Sequence, residues 1–334
     1  MDKLLVDILP LYEGKTILIS GATGYIGSAL VKAVSNIACR LVLLVRRDSR
    51  ELLLTSDCID YMLIQGDVSH RNTWLQALPD VDYVFHLAAH EHKHGSEYSP
   101  TLDLEVNTLS VLQLLEACRQ EGYTPKIVFI SSTNLVGLPS RLPVDETFPD
   151  NPLTIYAINK LMAEKYLQYY SKEFQLQTVT LRLANVYGPV SDHEIASRVV
   201  LNCIIRKGVR GGPLTLFENQ SCIRDFIFID DVLTALLAAG ISKEAGNGRH
   251  FVIGTGVGYR IIEAVNLIAD RVALRSGHRP DIELDTTVVL EVMEWRDFVS
   301  DTSRFHDVTG WSPKVSLVEG IDRTIDFFLK ELQE

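Results

Sequence analysis

Several shortages narrow the problem before any motif does. The five cysteines, Cys39, Cys58, Cys118, Cys203 and Cys222, contain no C-x-x-C pair. An odd, scattered set of this kind reads as reduced thiols and predicts a cytoplasmic protein. Apolar runs are short. None approaches the length a bilayer span needs, and Asp2 and Asp7 break the N-terminal leucine-rich stretch, so neither a membrane helix nor a secretory leader is expected. Positive charge is also scarce. Lys and Arg number 32 against 43 Asp and Glu, a net charge of −11, which excludes a general nucleic-acid binder because phosphate neutralisation needs clustered cations.

What is present is ordinary globular material, with 46% hydrophobic and 22% charged residues over 334 positions. That is enough chain for one large domain or two modest ones with a substantial core. Apolar runs rich in Val, Ile and Leu at Thr16–Ser20, Leu41–Val45, Tyr61–Ile64, Tyr83–Leu87, Ile127–Ser131 and Thr178–Leu183 predict strands. They alternate with helical patterns, clearest at Thr101–Gln120 and Ile155–Tyr170. This rhythm predicts an α/β fold, a doubly wound parallel (Rossmann) sheet. After Pro189 the rhythm changes, with predicted strands at Leu214–Phe217, Ile223–Ile229 and Phe251–Ile253, a helix from Asp230 to about Ala239, and a closing helix at Leu317–Leu332. A smaller C-terminal substrate lobe interleaved with the first unit is expected. Residues 1–189 and about 225–256 would bind the dinucleotide, and about 190–224 and 257–334 the substrate.

The first predicted strand runs into Gly21-Ala22-Thr23-Gly24-Tyr25-Ile26-Gly27. Glycines there allow a tight turn, close approach of the backbone to a pyrophosphate, and helix–strand packing, while the helix start offers N–H groups to phosphate. Gly21, Thr23, Gly24, Tyr25, Ile26 and Gly27 are therefore candidate cofactor contacts. The second strand ends in Arg46-Arg47-Asp48. A guanidinium at that position suits the 2′-phosphate of NADP, and Asp48 keeps NAD as the alternative. Asp67 and Val68, after the third strand, are placed to meet the adenine.

Tyr156 and Lys160 form Y-x-x-x-K, a spacing that sets both on one helical face about one turn apart. A phenol ionises near pH ~10, and neighbouring positive charge favours the phenolate and makes it a usable acid/base. Ser131 and Ser132 end the fifth predicted strand, where side chains of a parallel sheet face the ligand crevice. Ser132 is the candidate to bond the reacting oxygen and share its proton with Tyr156.

These pieces stand in one order along nearly the whole chain: GATGYIG at 21–27, HLAA at 86–89, Asn107 opening NTLSVLQLLEA, SSTNLVG at 131–137, YAINK at 156–160, LRLANVYGP at 181–189, RDFIFIDDV at 224–232 and GWSPKVSLVEGI at 310–321. The sequence resembles the extended short-chain dehydrogenase/reductase superfamily of NAD(P)-dependent sugar-nucleotide epimerases and dehydratases. The resemblance implies a catalytic Ser132, Tyr156 and Lys160. It implies a dinucleotide lying over Leu87, Ala88, Ala89 and Ser131 and held partly by Tyr156 and Lys160, with Asn107 supporting the active-site backbone. It also implies that Asn185 contacts a nucleotide diphosphate, Phe217 packs on the base and Arg224 pairs with phosphate, and that the two long helices form a homodimer bundle; Val111, Leu114, Leu115, Leu161 and Tyr169 either supply its apolar faces or pack inside the subunit.

Departures from the family pattern narrow the reaction. Dehydratases of the superfamily carry acidic residues just after the catalytic Ser/Thr, and the related decarboxylases usually have Glu at the second of those positions. This chain has Thr133 and Asn134 there, neither of which exchanges protons readily near neutral pH. Dehydration and decarboxylation are thereby demoted. Hydride transfer at a sugar ring carbon, C4 favoured, by an epimerase or ketoreductase becomes the leading expectation. The alternatives are reduction of a non-nucleotide carbonyl compound and NADP binding without chemistry. A second phosphate-binding arginine common in relatives is missing, with Glu291 in its neighbourhood and Arg296 nearer to Asp301-Thr302-Ser303. Arg296 is carried as its substitute. His90-Glu91-His92-Lys93-His94 matches H-E-x-x-H literally, but it follows a predicted strand and precedes Gly95. Zinc needs that spacing on a helix, so no metal is predicted, and His90 is read as bordering the substrate with Thr133 and Asn134.

Overall fold

The computed structural model describes residues 7–46, 60–90, 99–190 and 199–333. Its centre is a seven-stranded sheet made of β1 (Thr16–Ser20), β2 (Arg40–Val45), β3 (Asp60–Gln65), β4 (Tyr83–His86), β5 (Lys126–Ser132), β6 (Thr178–Leu183) and β10 (Arg249–Ile253). The spatial order is β10-β6-β5-β4-β1-β2-β3, and every neighbouring pair is parallel. The strand order reverses between β1 and β4, so loops leaving their carboxyl ends diverge there and open a crevice. β1, β2, β5 and β6 are buried almost throughout, which is why they read as continuous apolar runs rather than alternating ones.

The helices on the faces are α1 (Tyr25–Val34), α2 (Arg71–Ala77), α3 (Pro100–Leu104), α4 (Ser110–Glu121), α5 (Ile155–Phe174) and α7 (Ile229–Ile241). The stretch predicted as one helix over Thr101–Gln120 is broken: a π turn at Glu105–Leu109 separates α3 from α4. Such turns redirect side chains and recur at functional sites.

Beyond β6 lie β7 (Asn185–Tyr187), β8 (Leu214–Phe217), β9 (Ile223–Phe228), β11 (Gly258–Arg260) and β12 (Ile282–Asp285), with α6 (Val200–Val209), α8 (Ile261–Ser276), α9 (Ser303–Thr309) and α10 (Leu317–Glu331). β7 pairs parallel with β9, and β11 runs antiparallel to β9. β12 pairs with β8. Helix α8 was not expected from the sequence, although Ala264, Val265, Ile268, Ala269 and Val272 form its buried face at helical spacing. Among the described residues no helix is long and apolar enough to cross a membrane.

Candidate active site

The glycine loop is shaped by contacts that admit no side chain. Gly21 has φ +69°, and a Cβ there would lie 2.7 Å from the Ala88 nitrogen. At Gly27 a Cβ would sit 2.0 Å from the Gly21 carbonyl oxygen, so only glycine lets α1 close down on the end of β1. Gly24 is the N-cap of α1, and no side chain caps that end, which leaves its N–H groups for an anion. Ala22 is buried, while Thr23, Tyr25 and Ile26 are half-buried. The Tyr25 phenol donates to the Gly188 carbonyl at 3.1 Å, tying the loop to the segment after β7. The set fits a dinucleotide pyrophosphate.

Arg46 stands exposed at the end of β2. Arg47 lies outside the described residues, as do positions 91–94 of the H-E-x-x-H match. Asp67 accepts hydrogen bonds from the backbone N–H and hydroxyl of Ser69 at 2.8 and 2.7 Å. Burial raises its pKa, but these bonds and the positive charges of His70 and Arg46 outweigh that and leave it below the usual carboxylate range. Val68 is buried, and its carbonyl accepts from the Trp74 indole at 2.7 Å.

Beneath the crevice runs a relay that the sequence did not single out, although it starts from the first residue of HLAA. The Ser110 hydroxyl donates to the Val106 carbonyl at 2.5 Å, so it accepts from His86 Nε2 at 3.0 Å. That assigns the proton to Nε2 and leaves Nδ1 to accept from Ser20 Oγ at 2.6 Å. Ser20 Oγ in turn accepts the backbone N–H groups of Leu87 and Ala88 at 3.2 and 3.3 Å. Burial, and then the charge of Lys160, push the His86 pKa down to about 3, so the imidazole is neutral at physiological pH. Leu87 and Ala88 are thus fixed at the strand end, with Ala89 exposed just beyond.

Asn107, within the π turn, donates from Nδ2 to the His90 carbonyl at 2.7 Å and to Asp103 at 3.0 Å, and its Oδ1 accepts the His90 N–H at 3.3 Å. Asp103 also accepts from Asn159 at 2.7 Å. The chain at His90 is therefore clamped to the helix pair that carries Lys160.

Ser132 ends β5 and caps the 3-10 turn Thr133–Val136, its Oγ accepting the Asn134 N–H at 3.1 Å. Helix α5 packs against that turn and against β5 and β6. On α5, Lys160 is buried and donates to the Ile130 carbonyl at 2.9 Å. Its ammonium sits 4.4 Å from the Phe129 ring centroid and 5.9 Å from that of Tyr156, distances at which a cation is attracted by an aromatic face. Tyr156 is half-buried and Ser131 buried. One turn beyond Lys160, the buried Glu164 pairs with Arg182 of β6 at 2.7 Å, and Arg182 also reaches Asp150, ahead of α5, at 2.7 Å. Cutting such a buried pair costs about 3–5 kcal/mol, so α5 is held rigidly in register with the sheet.

Farther along the crevice wall, Asn185 Nδ2 donates to the Asp225 carbonyl at 3.0 Å. Arg224 does not pair with Asp225, whose carboxylate accepts the N–H groups of Thr255, Gly256 and Ser300. Instead Arg224 donates to three carbonyls: Ile223 at 3.1 Å, Glu294 at 2.7 Å, and Arg296. It braces the segment leading to Arg296. Arg296 is buried, donates to the Thr133 carbonyl at 2.9 Å and lies 4.9 Å from the Phe298 ring centroid. Phe217 is half-buried at the end of β8.

A glycine cradle, a Tyr–Lys pair on one helix and a serine at the adjoining strand end match the arrangement of a known family. The sequence model described as the NAD dependent epimerase/dehydratase family covers residues 17–254. The chain belongs to that family. It is an enzyme of the extended short-chain dehydrogenase type. A UDP-glucose 4-epimerase of Mycolicibacterium smegmatis is 32% identical over 321 residues, covering 95% of this chain and 99% of that one. Among solved structures, the UDP-glucose 4-epimerase of Thermotoga maritima with UDP-glucose superposes with a TM-score of 0.82 at 27% identity, over 95% of this chain and 99% of the other. The UDP-glucuronic acid 4-epimerase of Bacillus cereus, in complex with UDP-glucuronic acid and NAD, gives 0.80 at 27% identity over the same shares.

Proposed function

We propose that this family member transfers a hydride at a ring carbon, C4 favoured, of a nucleotide-diphosphate sugar, as an epimerase or a 4-ketoreductase. The observation that carries the proposal is the buried Lys160 ammonium beside the Tyr156 ring, on a helix packed against the Ser132 turn. A bound dinucleotide would supply the hydride acceptor, or donor, for the ring carbon. Ser132 Oγ already accepts from the Asn134 N–H, so its own proton is directed outward to the sugar oxygen. Tyr156 takes the proton of that oxygen as the carbon is oxidised and returns it on reduction. Lys160 stabilises the phenolate between those events. The two positions after Ser132 hold Thr133 and Asn134 rather than carboxylates, which favours hydride transfer alone over dehydration. Asn185, Phe217, Arg224, Arg296 and His90 are proposed to face the substrate, and residues 1–189 with about 225–256 to form the cofactor-binding unit.

Incubating nucleotide sugars with enzyme and no added cofactor tests the proposal. Turnover identifies an epimerase carrying its own dinucleotide, and stoichiometric loss of added NADPH with a 4-keto nucleotide sugar identifies a ketoreductase. The absence of both results, across uridine and thymidine sugar nucleotides, would remove the proposal. For the cofactor, Arg46 supports NADP, and the ligand of the Bacillus cereus neighbour supports NAD.

A homodimer is part of the same proposal, through a face that keeps Tyr169 of the expected residues and leaves out Val111, Leu114 and Leu115. Val111, Leu114 and Leu115 are fully buried within the subunit, packed with Leu167 and Phe129. On these helices the exposed large apolar residues are Leu104 of α3 and Ile158, Met162, Tyr169 and Phe174 of α5. Light scattering is expected to give twice the chain mass, and Ile158→Glu with Met162→Glu to give one. A wild-type monomer would dismiss the dimer. A cytoplasmic location is proposed from the free thiols of Cys39, Cys118, Cys203 and Cys222.

A further inference from the structure

Arg296 is the most isolated cation near the site. It is 5% exposed, yet among the described residues no carboxylate lies within ion-pair distance of it, and its side chain donates one hydrogen bond, to the Thr133 carbonyl. Its charged neighbour is another guanidinium, Arg224, which is itself spent on three backbone carbonyls. Burial first, and then Arg224, pull the Arg296 pKa down to about 9. A buried cation without a counter-charge is costly, and natural proteins retain one where a ligand supplies the anion. A guanidinium has five donors in a planar fork that matches a carboxylate, and one of the five is used here.

The position says which part of a ligand would meet it. Thr133 is the residue after Ser132, so Arg296 reaches the backbone at the end of the site where the reacting sugar oxygen is held. In a hexose reacting at C4, C5 is bonded to the reacting carbon, and the substituent it carries starts two carbon–carbon bonds away. The arrangement proposed below sets that substituent on the Arg296 side of Ser132, whereas a diphosphate is attached across the ring, at C1. Resting on the nucleotide-sugar proposal above, we propose that Arg296 is a specificity-determining residue that binds a carboxylate on the sugar ring, so the substrate is a nucleotide-linked hexuronate.

The test is calorimetric titration of the dinucleotide-loaded enzyme with UDP, dTDP, UDP-glucose and UDP-glucuronic acid. Charge-assisted pairing predicts that UDP-glucuronic acid binds about tenfold or more tightly than UDP-glucose. Arg296→Gln is expected to bring that ratio close to one, and Arg296→Lys to keep part of it, which a purely structural role would not do. Should Arg296→Gln fail to fold, the Arg296→Lys ratio decides: an intermediate preference supports the assignment, and an unchanged one overturns it. Equal wild-type affinity for the two sugar nucleotides overturns it. So does an equal loss for UDP, UDP-glucose and UDP-glucuronic acid in Arg296→Gln, which would place the guanidinium on the diphosphate. Failure of the wild type to bind any of the four ligands would instead remove the nucleotide-sugar proposal itself.

Discussion

Tyr156→Phe is expected to lower kcat by about 10²–10⁴-fold, the usual worth of a positioned acid/base, while leaving cofactor affinity nearly intact. The two effects separate because Lys160 has anchors that do not involve the Tyr156 hydroxyl. Lys160 is anchored by the Ile130 carbonyl and by the Phe129 face, neither of which depends on the Tyr156 hydroxyl. The ring itself remains in the variant, so α5 keeps its packing and its tie through Glu164 to Arg182. Single-turnover rates beside dinucleotide titrations read both quantities. Turnover within a few-fold of wild type would mean that another group handles the proton. A parallel collapse of cofactor affinity would mean that the phenol is a binding group first.

The second large effect is expected at Gly27. A methyl group there meets the Gly21 carbonyl oxygen at 2.0 Å, and because both partners are backbone, no rotamer change relieves the contact. The strand–helix junction has to open, costing about 1–3 kcal/mol of stability as an overpacked site does. The N–H groups at the start of α1 shift with it, and misplacement by about 1 Å is worth about 100-fold in a positioned site. Gly27→Ala should therefore weaken dinucleotide binding by about that factor and lower the Tm. The same titrations on the wild type address the cofactor. Arg46 predicts tighter binding of NADP than of NAD, and the opposite order assigns NAD. Wild-type dinucleotide affinity in Gly27→Ala would show that the loop does not carry the pyrophosphate.

Much of this was legible in the sequence, for reasons visible in particular elements. β1, β5 and β6 are buried on both faces, so their apolar runs mark them within a residue or two. The glycine loop is dictated by contacts only glycine allows, and the spacing of Tyr156 and Lys160 needs nothing beyond helix geometry. Other features depend on partners distant in the chain. β7 has three residues and exists through pairing with β9, about 40 positions on. The apolar stripe of Val111, Leu114 and Leu115 shows that something covers it, but periodicity does not say whether that is the subunit's own core or a second copy. Arg224 is recognisable as a cation in a motif, yet its donors go to carbonyls of residues 294 and 296. The Ser20–His86–Ser110 relay joins three separate segments around one imidazole, and only the histidine carried a signal, as the first residue of HLAA.

The phenol, the ammonium and the serine matter only if the ring carbon loses its hydrogen as a hydride to the nicotinamide. Supplying a nucleotide sugar deuterated at C4, with oxidised cofactor, follows that atom. The account predicts deuterium on the nicotinamide ring, with transfer slowed by a primary isotope effect and slowed by a further factor of about 10²–10⁴ in Tyr156→Phe. Deuterium released into water would contradict it, whereas an epimerase returns the label from the nicotinamide to C4 of its product.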